Sequence, residues 1–220
     1  MFALTDLLRW RAELHPDAVA LVDERNDSAT YAELNQRIED TARRWRARGV
    51  TPGEVVAVLD TNSVAFIVNI FAIGRAGAVP ALLNWRLTGR EHAALFELIE
   101  PVAVAAGHDL IEQLPTGLPQ VLVALSDDGA LPAGWLRDDT APGEEQTGLG
   151  PGPEPEDVFA LAFSSGTTGR AKGIPLRHES LARSAMVDAA DIAGMNLGDR
   201  HIMAAPMFHL AGLANTLMGL

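Results

Sequence analysis

The side chains best suited to chemistry are concentrated in residues 164–173, which read Ser-Ser-Gly-Thr-Thr-Gly-Arg-Ala-Lys-Gly. The glycines let backbone N–H groups approach a phosphate closely, and the hydroxyls donate further hydrogen bonds. Lys172 or Arg170 adds positive charge, in contrast to the acidity of the chain as a whole. This composition predicts an oxyanion-binding loop. The alternative is an ordinary surface loop, because Ser, Thr and Gly are common in loops.

Two better-known glycine motifs do not fit this chain. The Gly-x-x-x-x-Gly-Lys-Ser/Thr phosphate loop needs four residues between its glycines, whereas two residues separate Gly166 and Gly169. A second glycine cluster, at Gly148, Gly150 and Gly152, contains prolines and follows no strand, so it lacks the context of a dinucleotide-binding loop.

Helix signals and apolar runs alternate along the chain. Two Thr-x-x-Glu spacings have the form of a capping box, which satisfies the free N–H groups of a first helical turn. They predict helices from about 31 to 48, after Thr30, and from about 89 to 99, after Thr88. A third helix is predicted at 178–192, and the apolar spacing of Phe2, Leu4, Leu7 and Leu8 suits a helix face.

Short apolar runs between these helices predict strands at 18–22, 55–59, 79–83, 102–106, 120–124, 158–163 and 201–204. Strands that are apolar on both faces and alternate with helices are typical of a parallel sheet with helices on its faces. The sequence therefore predicts an α/β fold with a largely parallel sheet covered by helices.

Residues 126–157 differ in composition from the rest of the chain. They hold six Gly, five Pro and nine acidic residues, with Arg137 as the one basic residue, and so carry −8 of the net charge of −12. Such density of Pro and Gly predicts a long crossover or linker, with a partner-binding acidic segment as the alternative. We expect a first α/β subdomain at 1–125, this crossover at 126–157, and the start of a second, incomplete subdomain at 158–220.

Charge and composition exclude several function classes. The net charge of −12 repels nucleic-acid backbones and anionic lipids, so no nucleic-acid partner is expected. The absence of cysteine excludes disulfides, thiolate nucleophiles and iron–sulfur clusters, and favours the cytoplasm. The most apolar stretch, 64–83, is broken by Asn69, Arg75 and Pro80, which predicts a helix and a buried strand rather than a membrane span.

Residues 164–173 also resemble the phosphate-loop signature of the adenylate-forming superfamily, which comprises acyl-CoA synthetases, luciferases and adenylation domains. The chain departs from that signature at Ala171, where the family usually has proline. A Pro-Met-Phe-His-Leu-Ala-Gly segment at 206–212 is similar to the family's Pro-x-Phe-His-x-x-Gly segment beside the acyl pocket. Residues 77–80 and 83–88 also resemble acyl-CoA synthetases, so the likeness spans the whole chain.

The resemblance implies the N-terminal part of the large domain of an AMP-forming acyl-CoA synthetase. Such an enzyme converts an acid and ATP to an acyl-adenylate, and then forms a thioester with coenzyme A. By this likeness the catalytic residues are His209, near the carboxylate, and Lys172. The residues that would hold the ATP β- and γ-phosphates are Ser164, Ser165, Gly166, Thr167, Thr168, Gly169 and Lys172.

The family's later segments, among them its magnesium-binding glutamate, ribose-binding aspartate and C-terminal lysine, have no counterpart here. We therefore expect a piece of a longer enzyme, inactive alone, with the Mg²⁺ ligand outside this chain and no metal site of its own. An acyl-AMP ligase or an amino-acid adenylation domain is the nearest alternative. A non-catalytic phosphate-binding or regulatory module is an alternative of another class.

The expected small-molecule partner is a carboxylic acid whose identity the sequence leaves open, as it does the choice between coenzyme A and a carrier protein. Residues 210–220 are almost wholly apolar and carry no charge. Such a segment normally packs against a neighbouring layer. We therefore expect apolar surface to stay open there and to allow self-association through this end.

Overall fold

A computed structural model of the 220-residue chain describes residues 2–125, 129–139, 148–165, 171–194, 196 and 198–220. Its strands are β1 (Val19–Val22), β2 (Ser28–Thr30), β3 (Val55–Leu59), β4 (Val79–Leu82), β5 (Ala103–Ala106), β6 (Val121–Ala124), β7 (Trp135–Arg137), β8 (Val158–Ser165) and β9 (Ala171–Arg177). Its α-helices are α1 (Leu4–Leu14), α2 (Tyr31–Ala47), α3 (Val64–Arg75), α4 (Gly89–Ile99), α5 (His178–Val187) and α6 (Leu210–Gly219).

Seven strands form one sheet in the order β7-β6-β5-β3-β4-β8-β9. Every neighbouring pair is parallel except the last, in which β9 runs antiparallel to β8. The predicted α/β fold with a largely parallel sheet is confirmed. The division at 125/126 and 157/158 stays a prediction, although β8 lies in the same sheet as β4.

Alternate residues of the central strands face two separate apolar clusters. Val56 and Val58 of β3 pack with the helices α1, α2, α3, α5 and α6, whereas Ala57 and Leu59 pack with α4 and a 3₁₀ helix at His108–Gln113. All four side chains are fully buried. Because successive strand residues point to opposite faces, a strand buried on both sides has to be apolar throughout.

Helices α2 and α4 begin where their sequence signals place them. The Thr30 hydroxyl accepts from Glu33 N at 3.2 Å, and the Glu33 carboxylate accepts from Thr30 N at 2.9 Å. Thr88 and Glu91 make the same reciprocal pair before α4. Each box satisfies backbone donors that the first turn leaves without a helical partner.

The structure corrects the sequence prediction at several elements. The first predicted strand forms β1, but it pairs antiparallel with β2 in a separate two-stranded sheet. The predicted strand at 201–204 is wrong: this stretch is irregular, and Ile202 is 89% exposed. The helix predicted at 178–192 is α-helical only as far as Val187, as α5, and continues as a π-helical turn, Asp188–Ala193. The acidic crossover contains a strand, β7, which extends the sheet beyond β6.

A buried histidine joins the first helix to the second half of the chain. His178, at the start of α5, accepts a hydrogen bond on Nδ1 from Leu4 N at 3.2 Å. Its ring lies edge-on to Phe159 of β8, with centroids 5.0 Å apart. Burial lowers the pKa of His178 to about 4, despite opposing carboxylates at Asp157 and Asp6.

The apolar end of the chain folds as α6 and buries one face. Leu213 and Leu217 pack into the main apolar cluster, while Leu210 stays 47% exposed. Self-association through this end stays a prediction. Residues 64–83 form α3 and β4, as expected, and no helix among the described residues is long and apolar enough to cross a membrane.

Candidate active site

The carboxyl end of β8, which carries the predicted site residues Ser164 and Ser165, shares one edge of the sheet with the carboxyl ends of β3 and β4. Strands β3, β4 and β8 are neighbours and run parallel, so the turns after them lie side by side. In open α/β sheets, ligands bind at this edge. The turn after β3 begins at Asp60, the turn after β4 carries Trp85 and Arg86, and β8 ends in Ser164 and Ser165.

The predicted oxyanion-binding stretch, residues 164–173, begins in the last two residues of β8 and ends in the first three residues of β9. Ser164 pairs with Lys172 across the ladder, and Ser165 pairs with Ala171. Lys172 is exposed, and it is the single lysine of the whole chain. The predicted phosphate ligands Gly166, Thr167, Thr168 and Gly169 lie outside the described residues. The described part therefore places Ser164 and Lys172 directly opposite each other where the loop begins and ends.

His209 is exposed and lies immediately before the first residue of α6. Its backbone N–H donates to the Pro206 carbonyl at 3.1 Å, and its own carbonyl accepts from Leu213 N at 2.9 Å. A Cβ at Gly212 would overlap the carbonyl group of Pro206. The helix therefore packs its first turn onto the segment that carries His209, which gives the Pro-x-Phe-His-x-x-Gly pattern a steric reason for its glycine.

An aromatic and cationic cluster connects the turn after β4 to the His209 segment. The Arg86 guanidinium lies 4.2 Å from the Trp85 ring centroid and 5.9 Å from that of Phe208. Trp85 and Phe208 meet edge to face at 6.5 Å, and the His209 ring lies 4.6 Å from that of Phe208. The cluster thus combines aromatic rings with one positive charge, and the imidazole adjoins it through Phe208.

The turn after β3 is a site element that the sequence analysis did not single out. The buried Asp60 carboxylate accepts from Thr61 N and Ser63 Oγ, both at 2.8 Å. Burial raises the pKa of Asp60, and these two hydrogen bonds partly oppose that rise. A polar Asp-Thr-Asn-Ser run directly after a buried strand was the signal available in the sequence.

The donor set at this edge suits phosphate oxygens better than a cation. Hydroxyl and ammonium groups at Ser164 and Lys172 donate to anions, and an ammonium group cannot ligate a metal. Within the described ranges, no three His, Asp or Glu side chains are grouped closely enough to hold a metal ion. The donors at Ser164 and Lys172 are of the chemical type that binds an oxyanion.

Comparison with known proteins gives consistent matches. Indoleacetate–CoA ligase from Aromatoleum aromaticum is 30% identical over 223 residues, which cover 96% of this chain and 42% of the ligase. Feruloyl-CoA synthase from Amycolatopsis sp is 35% identical over 206 residues, which cover 92% of this chain and 39% of the synthase. The chain thus spans about two-fifths of the length of these relatives.

Solved structures of the O-succinylbenzoate CoA synthetase MenE from Bacillus subtilis share the fold. The complex with AMP has a TM-score of 0.80 at 23% identity and covers 99% of this chain and 53% of MenE. The complex with ATP and magnesium ion has a TM-score of 0.76 at 22% identity, and it covers 99% of this chain and 54% of MenE. The AMP-binding enzyme family matches residues 8–220, so the chain belongs to that family.

Proposed function

We propose that this chain supplies the nucleotide-phosphate end of an AMP-forming acid–CoA ligase. In that reaction the acid's carboxylate attacks the α-phosphorus of ATP, pyrophosphate leaves, and the thiol of coenzyme A then displaces AMP from the acyl-adenylate. The observation that carries the proposal is the Ser-Ser-Gly-Thr-Thr-Gly-Arg-Ala-Lys-Gly run, whose ends pair between β8 and β9, in a chain of the AMP-binding enzyme family.

The residues of this chain contribute by positioning and charge rather than by covalent catalysis. Lys172 neutralises charge on the β- and γ-phosphates as pyrophosphate departs, and Ser164, Ser165, Thr167 and Thr168 orient those phosphates with hydroxyl donors. Donors that are already in place need no reorganisation when charge develops, which is the main source of such stabilisation. Magnesium, as in the MenE complex, would neutralise further phosphate charge.

His209 would act at the acid's end of the same site. Its exposed imidazole stands beside the wall formed by Trp85, Arg86 and Phe208, where an N–H group can donate to a carboxylate oxygen. A wall of aromatic rings suits an aromatic acid, and the relatives are named for indoleacetate and a feruloyl group. We therefore propose an aromatic carboxylic acid as the substrate class, with coenzyme A as the acceptor.

The lone lysine allows a direct test of the phosphate site. An amine-directed reagent labels Lys172 and the terminal amine and nothing else on this chain. We expect ATP and inorganic pyrophosphate, at millimolar concentration, to slow the labelling of Lys172 without slowing that of the terminus. Lys172→Ala should weaken pyrophosphate binding roughly ten- to a hundredfold, because hydrogen bonds to charged groups contribute about 1.5–3 kcal/mol.

Arg177→Ala is the matched control, since it removes one positive charge from the other end of β9. Its side chain donates to the Glu156 carbonyl, away from the loop. We expect this variant to bind pyrophosphate as the unaltered chain does. Equal losses in the two variants would indicate a general charge effect, and labelling of Lys172 that neither ligand slows would overturn the proposed site.

A further inference from the structure

We propose that Asn62 is a positioning residue for His209, acting through the backbone on both sides of Pro206. Its Nδ2 donates to the Ala205 carbonyl at 2.9 Å. Its Oδ1 accepts from Met207 N, also at 2.9 Å. One side-chain amide thus holds the peptide groups that enter and leave Pro206, across a sequence separation of more than 140 residues.

Asn62 can hold this position because hydrogen bonds fix the turn after β3 in which it lies. Asp60 binds Thr61 N and Ser63 Oγ, and Ser63 Oγ in turn accepts from Phe66 N at 2.9 Å as the cap of α3. A Cβ on Gly107, at the end of β5, would overlap the Asp60 carboxylate. The turn is therefore fixed between a central strand, a buried helix and the end of the neighbouring strand, and a site held on such rigid elements keeps its geometry.

The constraint on Met207 passes along the backbone to His209. Met207 and Phe208 are buried, and His209 follows them with its N–H bonded to the Pro206 carbonyl. That same carbonyl abuts Gly212 of α6. The segment 205–209 is thus held from one side by Asn62 and from the other by α6, which fixes the backbone from which the His209 ring projects beside Phe208.

This inference rests on the proposed function for its meaning, since a fixed His209 matters only if it meets the acid. The geometry itself is testable without any nucleotide or acid. Failure of the lysine-protection experiment would therefore leave the positioning result standing, and the reverse also holds.

The first measurement is hydrogen exchange at the Met207 amide in three variants of the free chain. In Asn62→Ala the acceptor for Met207 N is lost, and we expect the exchange rate of that amide to rise roughly tenfold. Asn62→Asp keeps an acceptor oxygen for Met207 N but sets a carboxylate oxygen against the Ala205 carbonyl, so Met207 should keep more of its protection than in Asn62→Ala. Asn215→Ala, an exposed amide on α6, is the control and should change nothing.

The second measurement separates local positioning from general loss of stability. Fluorine-labelled tryptophan gives one NMR signal for each of Trp10, Trp45, Trp85 and Trp135. Trp85 contacts Phe208, so displacement of the His209 segment should move its signal alone, most in Asn62→Ala and less in Asn62→Asp. The proposal is overturned if Met207 exchange is unchanged in Asn62→Ala, if Asn62→Asp loses protection equally, or if all four signals shift together.

Discussion

Replacing Gly212 with alanine sets two effects of opposite sign against each other. Gly212 is the third residue of α6 and is buried. Alanine inside a helix is intrinsically better than glycine by about 1 kcal/mol. The added methyl group, however, would overlap the Pro206 carbonyl, which is backbone and cannot rotate away. That carbonyl also accepts from His209 N, so moving it disturbs the His209 segment.

The size of the stability loss in Gly212→Ala depends on how far the Pro206 carbonyl group can move. Overpacking a well-packed interior costs about 1–3 kcal/mol, and a backbone obstacle places this case at the upper end. After the helix gain of about 1 kcal/mol, the expected net loss in the free energy of unfolding is about 2 kcal/mol. For a chain of this size that loss lowers the Tm by about 4–8 °C.

Gly219→Ala provides a control within the same helix. A Cβ at Gly219 meets the His201 side chain at 3.5 Å, which is ordinary contact. This variant should be neutral or slightly more stable, because it gains helix propensity without an overlap. Thermal unfolding followed by circular dichroism measures both, and the Trp85 fluorine signal reports the displacement. If Gly212→Ala raises the Tm as Gly219→Ala does, then α6 does not pack onto Pro206 as described.

The remaining predictions concern stability. The folded pKa of His178, about 4, lies below the ordinary value of 6.5, so the unfolded chain binds the proton first and stability is lost as pH falls from 6.5 towards 4. Between pH 7 and pH 5 the free energy of unfolding should fall by roughly 2 kcal/mol on this account. In His178→Gln, denaturant unfolding should show a pH dependence that is smaller by this amount. If the free energy of unfolding of His178→Gln varied with pH just as that of the unaltered chain does, the prediction would be contradicted. Asn69 accepts from the buried Trp45 Nε1 at 3.1 Å, so Asn69→Ala should cost about 1–3 kcal/mol in denaturant unfolding. Trp45→Phe, which removes the donor, should recover part of that cost in the double variant, and simple additivity of the two losses would contradict the pairing.

Local sequence signals predicted those elements that are determined by residues close together in the sequence. The capping boxes at Thr30 and Thr88 located two helix starts, because the pairs that make them lie within four residues of each other. The buried strands β3, β5 and β6 were evident as apolar runs. The phosphate-loop prediction was local too, since the glycines, hydroxyls and Lys172 are consecutive.

Elements that depend on distant partners could not be predicted in this way. Strand β9 contains Gly173 and Pro175 and is exposed at six of its seven positions, so only its pairing with β8 makes it a strand. Residues 201–204 are apolar enough for a strand but find no ladder partner among the described strands. The role of Asn62 depends on residues more than 140 positions away, and no local spacing indicates it.

The hairpin at the proposed phosphate site has an electrostatic consequence. The element that follows the loop is strand β9, and α5 begins only at His178, six residues beyond Lys172. Many phosphate sites gain attraction from the dipole of a helix that begins at the loop, whereas strand dipoles nearly cancel. Attraction for an anion would then come from side-chain cations such as the exposed Lys172, within a chain of net charge −12. Mobile ions screen an exposed charge over about 8 Å at physiological ionic strength, so the proposed capture of a nucleotide at this edge would be salt-sensitive and short in range.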